Sequence, residues 1–215
     1  GKASHAIFVQ CLVKGWNSGY LQHQGTSEKE FECMWIFSGK SSGATGKKRN
    51  NTGKKMRKNF SARSIQQFNV RVYGIYMNAT SVLVTDEFCL GMRMTKFPGG
   101  GLEFGEGTLD GLRREIKEEL HQEPVILKHF YTTDFFQRTL LVEPPSQLLS
   151  IYYLIDLPFP RKISLVDKPF DFSVEQEGAQ TFRMLNLHES DEVMTFPIDR
   201  HVWKLLQKTF LQELP

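Results

Sequence analysis

Three glutamates, Glu115, Glu118 and Glu119, fall at i, i+3 and i+4 in the stretch GLEFGEGTLDGLRREIKEELHQ, residues 101–122. On a helix of 3.6 residues per turn, that spacing places their carboxylates on one face. Like charges so placed cost an isolated helix roughly 0.2–0.5 kcal/mol per pair, so the face calls for a counter-charge. A hard divalent cation such as Mg2+ supplies one, because it prefers carboxylate oxygens and keeps part of its water shell for substrate phosphates. The chemistry suggested is metal-assisted attack on a phosphorylated substrate.

The elements around the three carboxylates fit this. Leu109, Leu112, Ile116 and Leu120 form a neighbouring stripe that should dock the helix on a core. Gly111, one turn before Glu115, leaves room for a close approach. Thr108 is the expected N-cap, Asp110 suits the first turn, and Pro124 forbids continuation of the helix. The preceding Phe97-Pro98-Gly99-Gly100-Gly101 is a loop whose backbone can come close to a ligand, and it leads into a helix N-terminus, a natural place for anions.

Gly100 is followed after five residues by Glu106, and seven residues further on come Arg114-Glu115-Ile116 and then Glu118-Glu119. This resembles the Nudix box, G-x5-E-x7-R-E-U-x-E-E-x-G-U, with U a bulky aliphatic residue. The pattern departs only at its end, where His121 stands for glycine and Gln122 for the aliphatic residue. The glycine position corresponds to a helix end in the left-handed region, which His tolerates better than most residues.

The resemblance implies hydrolysis of the pyrophosphate link in a nucleoside diphosphate derivative, with Mg2+ or Mn2+ as cofactor. It further implies that Glu115, Glu118 and Glu119 are metal ligands, that a carbonyl near Gly99 adds another, and that one of the glutamates serves as base. Glu106 and Arg114 are expected as a structural pair holding the loop to the helix. Many family members carry an additional acid on a late loop, where Glu175 and Glu177 are the candidates, and Glu177 is taken as the catalytic one. Arg71, Arg93 and Lys96 flank the expected site and could meet phosphates. Phe135, with Phe136 and Gln137, could stack a base and hydrogen-bond its edge. Accessory signatures of two family branches are not met at positions such as Gln137, Arg138 and Leu140, so ADP-ribose-like and nucleoside triphosphate substrates both stay open.

Composition sets further bounds. The net charge of +3 hides an asymmetry: residues 1–66 hold twelve Lys/Arg against three Asp/Glu, and residues 67–215 hold fifteen against twenty-one. An acidic body argues against a nucleic-acid-coating surface and suits a protein that recruits cations. The three cysteines, Cys11, Cys33 and Cys89, show no metal or disulfide spacing, so a reducing cytoplasm is the expected location. No apolar run approaches a membrane span.

Residues 1–66 read as a basic extension, disordered or non-native, with a Gly/Ser/Asn-rich segment at 38–58. Met56 is a candidate natural start and Gly1 a candidate tag remnant. Residues 67–215 read as the hydrolase domain. Strands are expected at Phe68–Tyr76, Ser81–Thr85 (ended by an Asp86-Glu87 turn), Phe88–Met94, Val125–Thr133, Phe135–Val142, Gln147–Leu157 and Thr181–Leu187. A last helix from Pro197 to about Leu211 is expected to bury Val202, Leu205, Leu206 and Phe210. Strands on both sides of one central helix, with a second helix closing the chain, make an α/β protein. The resemblance specifies it as a Nudix-type α/β/α sandwich with a mixed sheet and the box helix packed on it. The expected partner is a small nucleotide, with no membrane and no nucleic acid, and a homodimer is left open. Two alternatives of other classes are a non-catalytic nucleotide sensor on the same fold and an RNA-directed enzyme using the basic arm.

Overall fold

The computed structural model describes residue 65 and residues 67–139 and 144–211. Expectations placed on the basic extension, Met56, and the last part of the Phe135–Val142 strand fall outside these residues.

The central element is β1 (Phe68–Asn78), whose β-branched and aromatic residues suit a strand buried on both faces. Alternation sends Val72 and Tyr76 to one side and Tyr73, Ile75 and Met77 to the other, each into its own core. Along one edge β1 runs parallel to β6 (Gln147–Asp156), from Phe68 opposite Gln147 to Tyr76 opposite Ile155. The other edge is shared. Its end pairs antiparallel with the start of β2 (Ser81–Cys89) at Met77–Val82 and Asn78–Ser81. Its beginning pairs with the short β4 (Gly99–Gly101), Arg71 opposite Gly101 and Tyr73 opposite Gly99. The glycine loop is thus fixed as a strand beside the middle of the sheet.

The remaining strands complete a mixed seven-stranded sheet. β3 (Met92–Lys96) and β7 (Ala179–Asn186) flank β2, both antiparallel, and β5 (Val125–Thr132) lies antiparallel on β6. Two helices close the layers. α1 (Thr108–Leu120) packs Leu112, Ile116 and Leu120 on Val72, Tyr76, Leu83, Ile155 and Leu157. α2 (Pro197–Phe210) packs Ile198, Val202, Trp203 and Leu206 on the opposite face, against Tyr73, Ile75, Phe97, Tyr152 and Leu154. The expected α/β/α sandwich is what forms.

Several local expectations are corrected. Asp86 does not begin a turn. It lies inside β2, fully buried, accepts from Thr95 Oγ1 at 2.6 Å, pairs with Arg183 of β7, and takes the Phe170 N–H at 3.1 Å. The turn falls at Leu90-Gly91, with φ of 53° and 70°, so the expected Phe88–Met94 strand is the two arms of a hairpin. The Phe135–Val142 strand is reduced, among its described residues, to one bridge, Arg138 to Gln147. Backbone bonds from Leu148 N–H to the Gln137 carbonyl at 2.7 Å and from Thr139 N–H to the Ser146 carbonyl at 2.9 Å keep the segment beside β6, while at Thr133 the side-chain hydroxyl accepts the Ser150 N–H at 3.0 Å. Leu109 is 37% exposed rather than docked, and α2 buries Trp203 and Ile198 in addition to Val202 and Leu206, while Leu205 and Phe210 are only half-buried.

The Asp86 cluster ties β2, β3, β7 and the loop at Phe170 together. Asp86→Ala should therefore cost about 3–5 kcal/mol, because it leaves Arg183 uncompensated in a site where its side chain is only 11% exposed. Urea unfolding measures this; a loss below 1 kcal/mol would show that the cluster is not a structural tie.

Candidate active site

The carboxylate face of α1 meets the glycine loop through a set of short contacts. α1 begins at Thr108 after Gly107, and no side chain caps it, contrary to the expectation for Thr108, whose hydroxyl instead lies 2.8 Å from that of Tyr153. The helix ends at His121, in the left-handed region at φ 54°, with its N–H on the Lys117 carbonyl at 3.0 Å. Gln122, in the aliphatic position of the box, is buried and accepts the Phe159 N–H at 2.9 Å, so it serves as a polar strap there.

Glu119 is the inner carboxylate, with its side chain 12% exposed. Its Oε2 accepts the Gly99 N–H at 2.9 Å, and its Oε1 accepts from Gln180 Nε2 at 3.1 Å and from Lys96 Nζ at 3.4 Å. Lys96 Nζ also lies 3.0 Å from Glu87 Oε2 and donates to the Gly99 carbonyl at 3.1 Å. Burial pushes the Glu119 carboxyl up, with Lys96 and the Gly99 N–H pulling it back down. Burial alone would push the Lys96 ammonium down, but Glu119 and Glu87 hold it above its ordinary range.

Glu115 lies one turn earlier, 15% exposed, against the backbone of Gly100. A Cβ at Gly100 would collide with the Glu115 carboxylate, which is the physical reason for a glycine at the head of the box. The room expected beside Gly111 is filled by the chain itself, since a Cβ there would lie 2.6 Å from Leu102 Cδ1 and 3.0 Å from Glu106 Oε2. Glu118 is the open carboxylate, 60% exposed.

Arg114 organises this outer half. It bonds Glu106 twice, Nε to Oε1 at 2.7 Å and Nη2 to Oε2 at 3.0 Å, and donates to the Gly101 carbonyl at 2.9 Å. Its Nη1 reaches Glu115 at 2.9 Å and Glu118 at 3.4 Å. Glu106 also accepts the Glu103 N–H at 3.0 Å. The Arg114 guanidinium and then that N–H lower the Glu106 carboxyl to about 2.

The negative charge on α1 is thus met partly by the protein's own cations. Among the described residues, the ion pairs of this network set five carboxylates, those of Glu87, Glu106, Glu115, Glu118 and Glu119, against two cations, Arg114 and Lys96. The surplus of hard oxygen ligands fits a divalent cation in its chemistry. Among the described residues, however, no three acidic, His or Cys side chains are gathered closely enough to hold one in this arrangement.

Beside this network, on the α2 face of the sheet, lies a pocket of about 260 Å³ whose lining includes Asn69, Arg71, Met94, Gln137, Tyr152 and Asp199. Lys96 and Glu87 also line it, so they connect the carboxylates to the pocket. The residues expected to bind substrate separate here. Arg71 reaches the pocket, donating from Nε to Tyr73 Oη at 2.7 Å. Arg93 is exposed and paired with Glu175, its guanidinium 5.6 Å from the Phe170 ring. Phe135 packs edge-on to His201 at 5.7 Å, and its neighbour Gln137 is the one that lines the pocket. Glu177 is not with the helix carboxylates: its Oε1 takes the Leu90 N–H at 2.7 Å at the β2–β3 turn, and that bond with Cys89 holds its carboxyl below the usual range. Glu87, Gln180 and Asp199 were not singled out from sequence. Only sheet register reveals the first two, through Gln180 opposite Glu87.

The sequence matches the family model for the NUDIX domain over residues 66–197, and the chain belongs to that family. Its members generally hydrolyse acid anhydrides. No curated protein matches the sequence significantly. Similar solved structures include a NUDIX hydrolase from Nitrosomonas europaea (17% identity, 70% of this chain and 76% of that one, TM-score 0.49). Another is the E. coli ORF135 protein (15% identity, 69% and 96%, TM-score 0.47). A third is a MutT from a study of Aliivibrio salmonicida and Vibrio cholerae (19%, 67% and 100%, TM-score 0.44). Among the described residues no helix is long and apolar enough to cross a membrane.

Because the folded Glu106 carboxyl titrates far below its free value, its hold on the loop is complete above about pH 4.5 and fades as pH falls towards 2. Glu106→Gln should remove that hold at neutral pH. Hydrogen exchange at the amides of residues 101–106 should then quicken by about tenfold while exchange in β1 is unchanged, a local opening of the kind proteins show in loops. Unchanged exchange in the loop would rule out the pair as its anchor.

Proposed function

We propose that the protein hydrolyses the pyrophosphate link of a nucleoside diphosphate derivative at the carboxylate face of α1. The observation that carries this reading is the surplus of carboxylates beside the glycine loop, joined through Lys96 to the adjoining pocket. A phosphate chain has a place at the junction, and the group attached to it has a place in the pocket.

In the proposed reaction a water oxygen forms a bond to one phosphorus, and the bond from that phosphorus to the bridging oxygen breaks. The water proton passes to a carboxylate, and the bridging oxygen leaves with the electron pair. Glu118 is the accessible carboxylate for the proton, while Glu119, already engaged by Gly99 and Lys96, fixes the loop at the required distance from the helix. Arg71 and Lys96 sit where they can meet phosphate oxygens. A divalent ion, Mg2+ or Mn2+, would be held by Glu115, Glu118 and Glu119 once their carboxylates turn from Arg114 and Lys96 towards it, and when bound it would neutralise phosphate charge and make water a better nucleophile. Arg114 steadies Glu115 and Glu118 for that task. Glu177 has no part in this scheme, since its carboxylate holds the hairpin turn.

One observation favours a second reading. With Arg114 and Lys96 occupying the carboxylates, the site is already partly neutralised, as a nucleotide sensor that does not turn over would tolerate.

A product assay decides between them. Nucleoside triphosphates, ADP-ribose, NADH, dinucleoside polyphosphates and nucleotide sugars are incubated with Mg2+ or Mn2+, and the products are separated by chromatography. Cleavage of at least one compound is expected, with Glu118→Gln lowering the rate by about 10²–10⁴-fold at unchanged thermal stability. Near-normal turnover by that variant would remove Glu118 from the chemistry, and tight binding with no turnover of any compound would select the sensor.

A further inference from the structure

Asp199 sits in the first turn of α2, where a carboxylate ordinarily turns back to the open N–H groups of the helix. It does not do so here. Its Oδ1 accepts the Tyr152 hydroxyl at 2.6 Å, and its Oδ2 has no hydrogen-bond partner. The residue is 1% exposed and lines the pocket. An unpaired oxygen this deep costs about 1–3 kcal/mol, more when charged, unless something bonds it.

Its surroundings limit what that something is. Met94, Leu148, Ile198 and the stacked rings of Tyr73 and Tyr152, 5.0 Å apart, give the pocket apolar walls suited to a flat ring. Its volume, about 260 Å³, is at the small end of ligand pockets, enough for one ring system and not for a whole dinucleotide. A carboxylate only accepts hydrogen bonds.

Resting on the proposed function, we infer that Asp199 is a specificity-determining residue: its free oxygen accepts from an exocyclic amino group on the substrate's base and rejects a base with an oxo group there. The ligand class is therefore a nucleotide with an amino-bearing base. The charged and titratable groups facing this position are Arg71 and Tyr73 from β1, Glu87 and Cys89 from β2, Lys96 from β3, Arg138, and Tyr152 from β6. Burial pushes the Asp199 carboxyl up to about 6, with the Tyr152 hydrogen bond, Lys96 and Arg71 opposing, so it is ionised at pH 7.5.

Binding without catalysis tests this separately from the hydrolysis. AMP, GMP, CMP, IMP and UMP are titrated calorimetrically into the full chain at pH 7.5 without divalent metal. At least one pair that differs at the amino position (AMP with IMP or CMP with UMP, where an oxo group replaces it, or GMP with IMP, where hydrogen replaces it) should favour the amino member by about ten- to hundredfold. In Asp199→Asn the amide oxygen still accepts from Tyr152, while the amide nitrogen now donates, so the preference should reverse towards the oxo member of AMP/IMP or CMP/UMP and vanish for GMP/IMP. The wild type gives the same test without a substitution, because the amino preference should collapse between pH 7.5 and 5. An amino preference that survives either change overturns the proposal, and so does failure of all five to bind. Metal-dependent hydrolysis alongside such a failure would leave the proposed reaction standing and remove only the role of Asp199.

Discussion

The part-buried bond between Glu119 and the Gly99 N–H is the interaction on which the site depends. It joins the last turn of α1 to a loop that is itself a strand of the sheet, so the helix carboxylates and the loop carbonyls keep a fixed separation. Lys96 completes the joint by touching the Gly99 carbonyl, Glu119 and Glu87 at once. A buried carboxylate and ammonium are expensive to dehydrate, and they persist because each has several partners. The arrangement is better explained as holding a geometry than as adding stability.

That joint also explains why β1 is shared between β2 and β4. If β2 continued along β1 for its whole length, the glycine loop would have no ladder partner and no fixed place. By pairing only at Met77 and Asn78, β2 yields the rest of the edge to Gly99–Gly101. β2 then diverges, and with β3 it forms one wall of the pocket, with Lys96 where the pocket and the carboxylate face meet. Sheet topology, local glycine chemistry and site electrostatics are therefore one arrangement seen at three scales.

How much of this could be read from the sequence follows from the range of each interaction. The box helix, its three carboxylates and the left-handed end at His121 are encoded within about twenty consecutive residues; spacing exposed the helix face, and the resemblance to the Nudix box gave the left-handed end. The α/β layering was legible because strands lie on both sides of the box helix in the sequence and a second amphipathic helix closes the domain. Asp86 was misread because an acidic pair normally marks a turn, whereas its partner Arg183 is ninety-seven positions away. Thr108 was misread as a cap because its hydroxyl finds Tyr153, which lies across the fold. Asp199 gave no signal, since an acid in the first turn of a helix is commonplace; its meaning comes from Tyr152 and from the oxygen left over. Three like charges on α1 suggested a missing cation, and the structure shows Arg114 and Lys96 already supplying part of that charge.

The most direct test of the central claim, that the carboxylate surplus of α1 gathers a divalent ion, is a titration with Mn2+ followed by electron paramagnetic resonance. The free-ion signal should be depleted by the wild-type protein and restored in Glu118→Gln, with Arg114 and Lys96 intact in both. Mn2+ that stays free at millimolar protein, or that binds both proteins equally, would contradict the assignment of this face as the metal-holding part of the site.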